Sequence, residues 1–85
     1  MDNQRALACF EQILKIKRWN KRVRGYNDAP YHLIKDKQAL TLLINKGYVT
    51  MHHFKNRDLE TEQFVIRITP FGYHRYRAVT QGVAS

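Results

Sequence analysis

The chain has 85 residues and a mass of 10.1 kDa, room for one domain spanning 1–85 with a frayed tail at 81–85. Fifteen Lys and Arg against seven Asp and Glu leave a formal charge of +8, which points to a polyanionic partner, nucleic acid ahead of an anionic membrane surface. A single cysteine excludes an internal disulfide and most zinc patterns, and no apolar run is long enough to span a membrane; with no secretory leader in residues 1–20, a cytoplasmic protein is expected.

Residues 3–23 carry helical periodicity, with Leu7, Phe10 and Leu14 on one face, Asp2 or Asn3 as cap and Gly25 as stop. Cys9 falls on the apolar side and reads as a small buried hydrophobe. Asn27 or Asp28 followed by Pro30 predicts a short helix over 29–35. A clearer helix covers 36–46, opened by Asp36, striped by Ala39, Leu40, Leu43 and Ile44, and stopped at Gly47. Residues 48–54 and 63–69 alternate as strands around a polar turn and pair as a hairpin. One strand puts Val49 and Met51 on a common face, and the other does so for Phe64, Ile66 and Ile68. Thr69 and Pro70 open a last helix, as cap and first-turn proline.

Helix, short helix, helix, hairpin, helix is the order of an α+β winged helix: a helix-turn-helix core, a two-stranded wing and a C-terminal helix. Two stretches carry the likeness. Leu42-Leu43-Ile44-Asn45-Lys46-Gly47-Tyr48-Val49 resembles the end of the recognition helix running into the first wing strand of MarR-like and PadR-like regulators. Ile68-Thr69-Pro70-Phe71-Gly72 resembles the stretch that follows their second wing strand. The resemblance implies sequence-specific binding of double-stranded DNA and transcriptional regulation. Eighty-five residues leave no room for the flanking helices that build a ligand pocket in MarR-like proteins, so neither small-molecule sensing nor a cofactor is expected.

The polar face of helix 36–46 offers Lys37, Gln38, Thr41 and Asn45 for base contacts: amides pair with adenine, lysine reaches guanine acceptors, and the threonine methyl meets thymine. Lys15, Lys17, Arg18, Lys21, Arg22 and Arg24 form a run with no acid among them and are candidate phosphate contacts, with Arg75 and Arg77 on the last helix. In the wing, Lys55, Asn56 and Arg57 are candidate contacts, but Asp58, Glu60 and Glu62 oppose them. A two-fold operator would require a homodimer, through Trp19 or Tyr76 on the first and last helices. Phe10, Phe64 and Phe71 read as core. His32, His52, His53, His74 and Cys9 show no metal-ligand spacing, and no catalytic motif is present, so an enzyme is not expected. Two rivals stand beside DNA binding: a protein-interaction module meeting an acidic partner, and a binder of RNA or single strands using the aromatic side chains.

Overall fold

The computed structural model describes residues 4–25, 28–56 and 61–81. Twenty-one residues without glycine or proline form helix α1, Gln4–Arg24, with Ala6, Cys9, Phe10, Ile13 and Leu14 buried along one face. Gly25 ends it in the left-handed region, at φ 77°, where its amide still donates to the Lys21 carbonyl. Asn20 is the buried polar residue of this helix, and its side-chain amide donates to the Asp28 carbonyl at 2.9 Å. That bond ties the end of α1 to the strand that follows.

The helix expected over 29–35 does not form. Ala29–Pro30 is instead a short strand, β1, and Tyr31–Leu33 is a single 3₁₀ turn. Pro30 is extended (φ −62°, ψ 133°) and Ile34 is extended after it (ψ 120°), so helical backbone has three residues at most. Proline also biases the residue before it toward extended backbone. Ala29 gains complete burial opposite Ile66, which a solvated first turn would not give it.

Helix α2, Lys37–Asn45, opens where the Asp36 carboxylate accepts from the Ala39 amide at 3.1 Å. It closes with the Gly47 amide on the Ile44 carbonyl and the Tyr48 amide on the Leu43 carbonyl, both at 3.0 Å, with Gly47 at φ 78°. Strands β2, Val49–Asn56, and β3, Thr61–Ile68, make the expected hairpin, each reaching farther toward its tip than the sequence suggested. β1 adds antiparallel to the other side of β3, so the sheet is three-stranded in the order β1-β3-β2. As an edge strand, β1 tolerates the missing amide of Pro30. The molecule is an α+β domain of three helices and a three-stranded antiparallel sheet.

Phe10, Ile13, Ile34, Leu40, Leu43, Val49 and Ile66 are fully buried at the centre. The register sets Val49 against Ile68, Met51 against Ile66 and His53 against Phe64, so the expected faces are shared. The core cluster stops at Ile66; its cross-strand partner Met51 and, farther along, Phe64 are exposed. Phe64 is thus not core; its ring stacks on His53 at 4.6 Å and meets the Tyr31 ring edge-on at 6.4 Å. Phe71 is not core either: it is 54% exposed, since its helical neighbour Gly72 takes the inward position.

Helix α3, Pro70–Thr80, begins as predicted, with the Thr69 hydroxyl accepting from the Gly72 amide at 2.9 Å. The Thr69 amide donates to the Tyr48 carbonyl at 3.1 Å, and its hydroxyl lies 2.7 Å from the Gly47 carbonyl oxygen. A Cβ on Gly72 would stand 2.0 Å from the Tyr48 carbonyl oxygen. The start of α3 is therefore pressed onto the α2–β2 turn, and the two stretches that carry the family likeness are one contact. Tyr76 completes the closure, its ring stacked on Phe10 at 5.0 Å. The expected caps Asp2 and Asn3 and the tail beyond Gln81 lie outside the described residues.

Candidate nucleic-acid interface

The apolar stripe of α2, Ala39, Leu40 and Leu43, fixes which of its sides faces outward. Gln38, Thr41 and Asn45 are exposed on that outer side, as predicted from their spacing. The Thr41 hydroxyl donates to the Lys37 carbonyl, so its methyl and lone pairs are what a ligand would meet. Lys37 is half-buried and turned elsewhere: its ammonium lies 4.0 Å from the Tyr31 ring centroid and donates to the Tyr31 carbonyl. Three of the four proposed base-contact side chains thus share the open face, and the fourth braces the turn that precedes α2.

Two further groups complete this face. Arg5, from the first turns of α1, holds Asp36 with two hydrogen bonds, Nε to Oδ2 and Nη2 to Oδ1, each 3.0 Å. Its Nη2 also lies 3.3 Å from Gln38 Oε1. Leu42 is 46% exposed beside Gln38. Arg5, Gln38, Ala39, Thr41 and Leu42 line a groove of about 400 Å³. Guanidinium, amide, hydroxyl and apolar side chain therefore stand together at one edge of α2. The pairing with Arg5 holds the Asp36 carboxyl below the usual carboxylate range, aided by the Ala39 amide. Nothing in the local spacing of α2 announces Arg5, which comes from 31 residues upstream.

The basic run of α1 is not a single clamp. Helical geometry sends Lys15, Arg18 and Arg22 to one side and Lys17 and Lys21 to another, while Arg24 ends the helix. Lys17 packs on α3: its ammonium is 3.0 Å from the Tyr73 hydroxyl and 4.6 Å from that ring's centroid. Tyr73 also lines a groove of about 480 Å³ with Pro70, His74, Arg77, Ala78 and Gln81. Lys17 and Arg77 are thus brought to the same tyrosine. Arg75, two residues before Arg77, projects from a different side of α3. At about 1.5 Å per residue, Lys15 to Arg22 lie about 15 to 25 Å along α1 from Arg5.

Lys55 and Asn56 close β2, whereas Arg57 and the acids Asp58 and Glu60 lie outside the described residues. Tyr76 is not an exposed dimer surface. It stacks on Phe10, its hydroxyl is 3.5 Å from Glu11 Oε1, and burial together with Glu11 raises its phenol. Trp19 is exposed, as expected. His52 pairs with the Thr50 hydroxyl at 2.9 Å while His53 stacks on Phe64, so these neighbours serve opposite faces of the hairpin. Among the described residues no three His, Cys, Asp or Glu side chains gather as metal ligands. Cys9 is buried as predicted, and burial pushes its thiol up to about 11. No described helix is long and apolar enough to cross a membrane.

Comparison with family models, curated proteins and solved structures gives no match to this chain.

Proposed function

We propose that this chain is a small winged-helix regulator that binds double-stranded DNA sequence-specifically, with the outer face of α2 in the major groove. The observation that carries the reading is the open polar face of Gln38, Thr41 and Asn45 on a helix fixed at both ends. Asparagine and glutamine suit adenine, the threonine methyl and Leu42 suit the thymine methyl, and Arg5 suits guanine or an adjacent phosphate. Rigidity matters because base readout requires side chains held to within a fraction of an ångström. The Asp36 cap, the Gly47 closure and the Thr69 junction supply it. Lys17 and Arg77, which meet at Tyr73, and Lys21 one turn beyond Lys17 are assigned to phosphates. The net charge of +8 adds sequence-independent attraction.

The test is fluorescence anisotropy of a labelled mixed-sequence duplex titrated with the protein across a salt series. A log–log slope of about −4 is expected, corresponding to roughly four neutralised phosphates. A site selected from random duplexes should then bind more tightly than the mixed sequence. Replacing Gln38, Thr41 and Asn45 together by alanine should remove that preference and leave non-specific affinity nearly unchanged. Absence of duplex binding at low salt overturns the reading. Displacement of duplex by equimolar oligo(dT) would favour single strands, for which the exposed Phe64 and His53 rings, beside half-buried Tyr31, offer stacking faces.

A further inference from the structure

The DNA reading leaves one side of α1 unused. Ile16, Trp19 and Val23 recur at i, i+3 and i+7 and form a second apolar stripe, displaced around the helix from Phe10, Ile13 and Leu14. Ile16 is half-buried against the core, whereas Trp19 is 53% and Val23 59% exposed. One residue earlier, Lys15, Arg18 and Arg22 repeat the same spacing and are all exposed. The two stripes run side by side for two turns, and no acid occurs between Lys15 and Arg24.

An exposed tryptophan in an apolar row, bordered by a row of cations, specifies the chemistry of what covers it. A second copy of this chain does not fit. A two-fold contact here would set Lys15, Arg18 and Arg22 against their own equivalents. A nucleic-acid backbone satisfies the cations but leaves Ile16 and Val23 idle, because aliphatic side chains offer bases no stacking face. The i, i+3, i+7 spacing is that of a helix seam, and its match is another helix with apolar residues at the same spacing and carboxylates beside them. We infer that this side of α1 docks an acidic amphipathic helix of another protein. The partner's apolar seam lies on Ile16, Trp19 and Val23, and its Asp and Glu side chains meet Lys15, Arg18 and Arg22. This assignment does not depend on α2 reading DNA.

Trp19 is the chain's sole tryptophan, so its emission reports on this surface directly. The full chain is titrated with a synthetic helix of roughly 20 residues, leucine at seam positions and glutamate beside them. Controls are the same composition scrambled, oligo(dT), and vesicles containing phosphatidylglycerol. The expected result is a saturable blue shift with the acidic helix and none with the controls. With a labelled peptide, Val23→Glu and the double variant Arg18→Glu, Arg22→Glu should each weaken binding at least about tenfold. Both alter exposed positions, so their melting temperatures should match the parent, which separates lost docking from lost folding. The Gln38, Thr41, Asn45 triple alanine variant should bind the peptide normally even if it loses DNA discrimination, which keeps the two proposals separable. No shift with the acidic helix, an equal shift with the scrambled peptide, or a shift with oligo(dT) or vesicles instead would each overturn the assignment.

Discussion

Gly72→Ala tests how α3 is seated. The added methyl would stand 2.0 Å from the Tyr48 carbonyl oxygen and 2.8 Å from its carbon. Both obstacles are backbone, so no side chain can swing aside. Restoring an ordinary contact requires α3 to retreat by about 1 Å or more, a strain typical of overpacking at roughly 1–3 kcal/mol. Retreat also lengthens the Thr69 bonds to Tyr48 and Gly47, worth about 1 kcal/mol each. Alanine's better helix propensity returns about 0.5–1 kcal/mol. The net loss is about 2–4.5 kcal/mol, against a total stability of about 4–13 kcal/mol for a domain of this length. Far-ultraviolet circular dichroism should show the melting temperature falling by about 10–30 °C. Gly47→Ala is the comparison. Gly47 sits at φ 78° with open space around its Cβ direction, so only backbone strain of about 1–2 kcal/mol opposes the change. If Gly72→Ala melts within a few degrees of the parent, or above Gly47→Ala, the close seating of α3 on Tyr48 is wrong.

At pH 8 the buried Cys9 thiol, raised from an ordinary 9.0 to about 11, should react with iodoacetamide about 100-fold more slowly in the native chain than in the urea-unfolded one; similar rates would contradict its burial. The folded thiol is raised, so its share of stability is full below the ordinary thiol range and drains away as pH climbs from about 9 to 11. Asp36 runs the other way: its folded carboxyl is lowered, so its contribution is present above the ordinary carboxylate range and disappears as pH falls through the lowered value. Arg5→Ala should therefore move the acid-unfolding limb to higher pH, and superimposable limbs would remove Arg5 from the cap. Asn20→Ala strips the Asp28 carbonyl of its side-chain donor and should lower stability by about 1–3 kcal/mol in urea titrations; an unchanged midpoint would mean water replaces the amide.

Much of this architecture was legible because its signals are local. Gly25 and Gly47 stop helices at left-handed positions, and Asp36 and Thr69 cap them, each within a few residues of the element it bounds. β1 was not legible. Asp28-Ala29-Pro30 reads equally well as a helix start, and its strand state comes from pairing with Ile66 and Val65, more than 30 residues away. Phe64 and Phe71 misled because alternation and periodicity mark which way a side chain points, not whether the core extends that far. The division of the basic run was implicit in its spacing, since 15, 18 and 22 centre about 110° around the helix from 17 and 21, with Arg18 and Lys21 as neighbours between the two rows. Read as a block of charge, the run concealed it. Arg5 at the edge of α2 follows from how α1 crosses the start of that helix, which no local pattern encodes.

The fate of the two family-like stretches bears on where function resides. Gly47 and Tyr48 in one, and Thr69 and Gly72 in the other, engage each other through backbone carbonyls and a missing side chain. What they specify is the angle at which α3 leaves the sheet and packs Tyr73 and Tyr76 against α1. None of these four residues lies on the outer face of α2. A sequence can therefore keep both stretches while Gln38, Thr41 and Asn45 change, and fold unchanged. These four residues set the frame; a ligand would be chosen by side chains the frame leaves open. Variants at the junction should alter melting and binding together. Variants on the outer faces of α2 and α1 should alter binding alone, and those on α2 should affect a different ligand from those on α1.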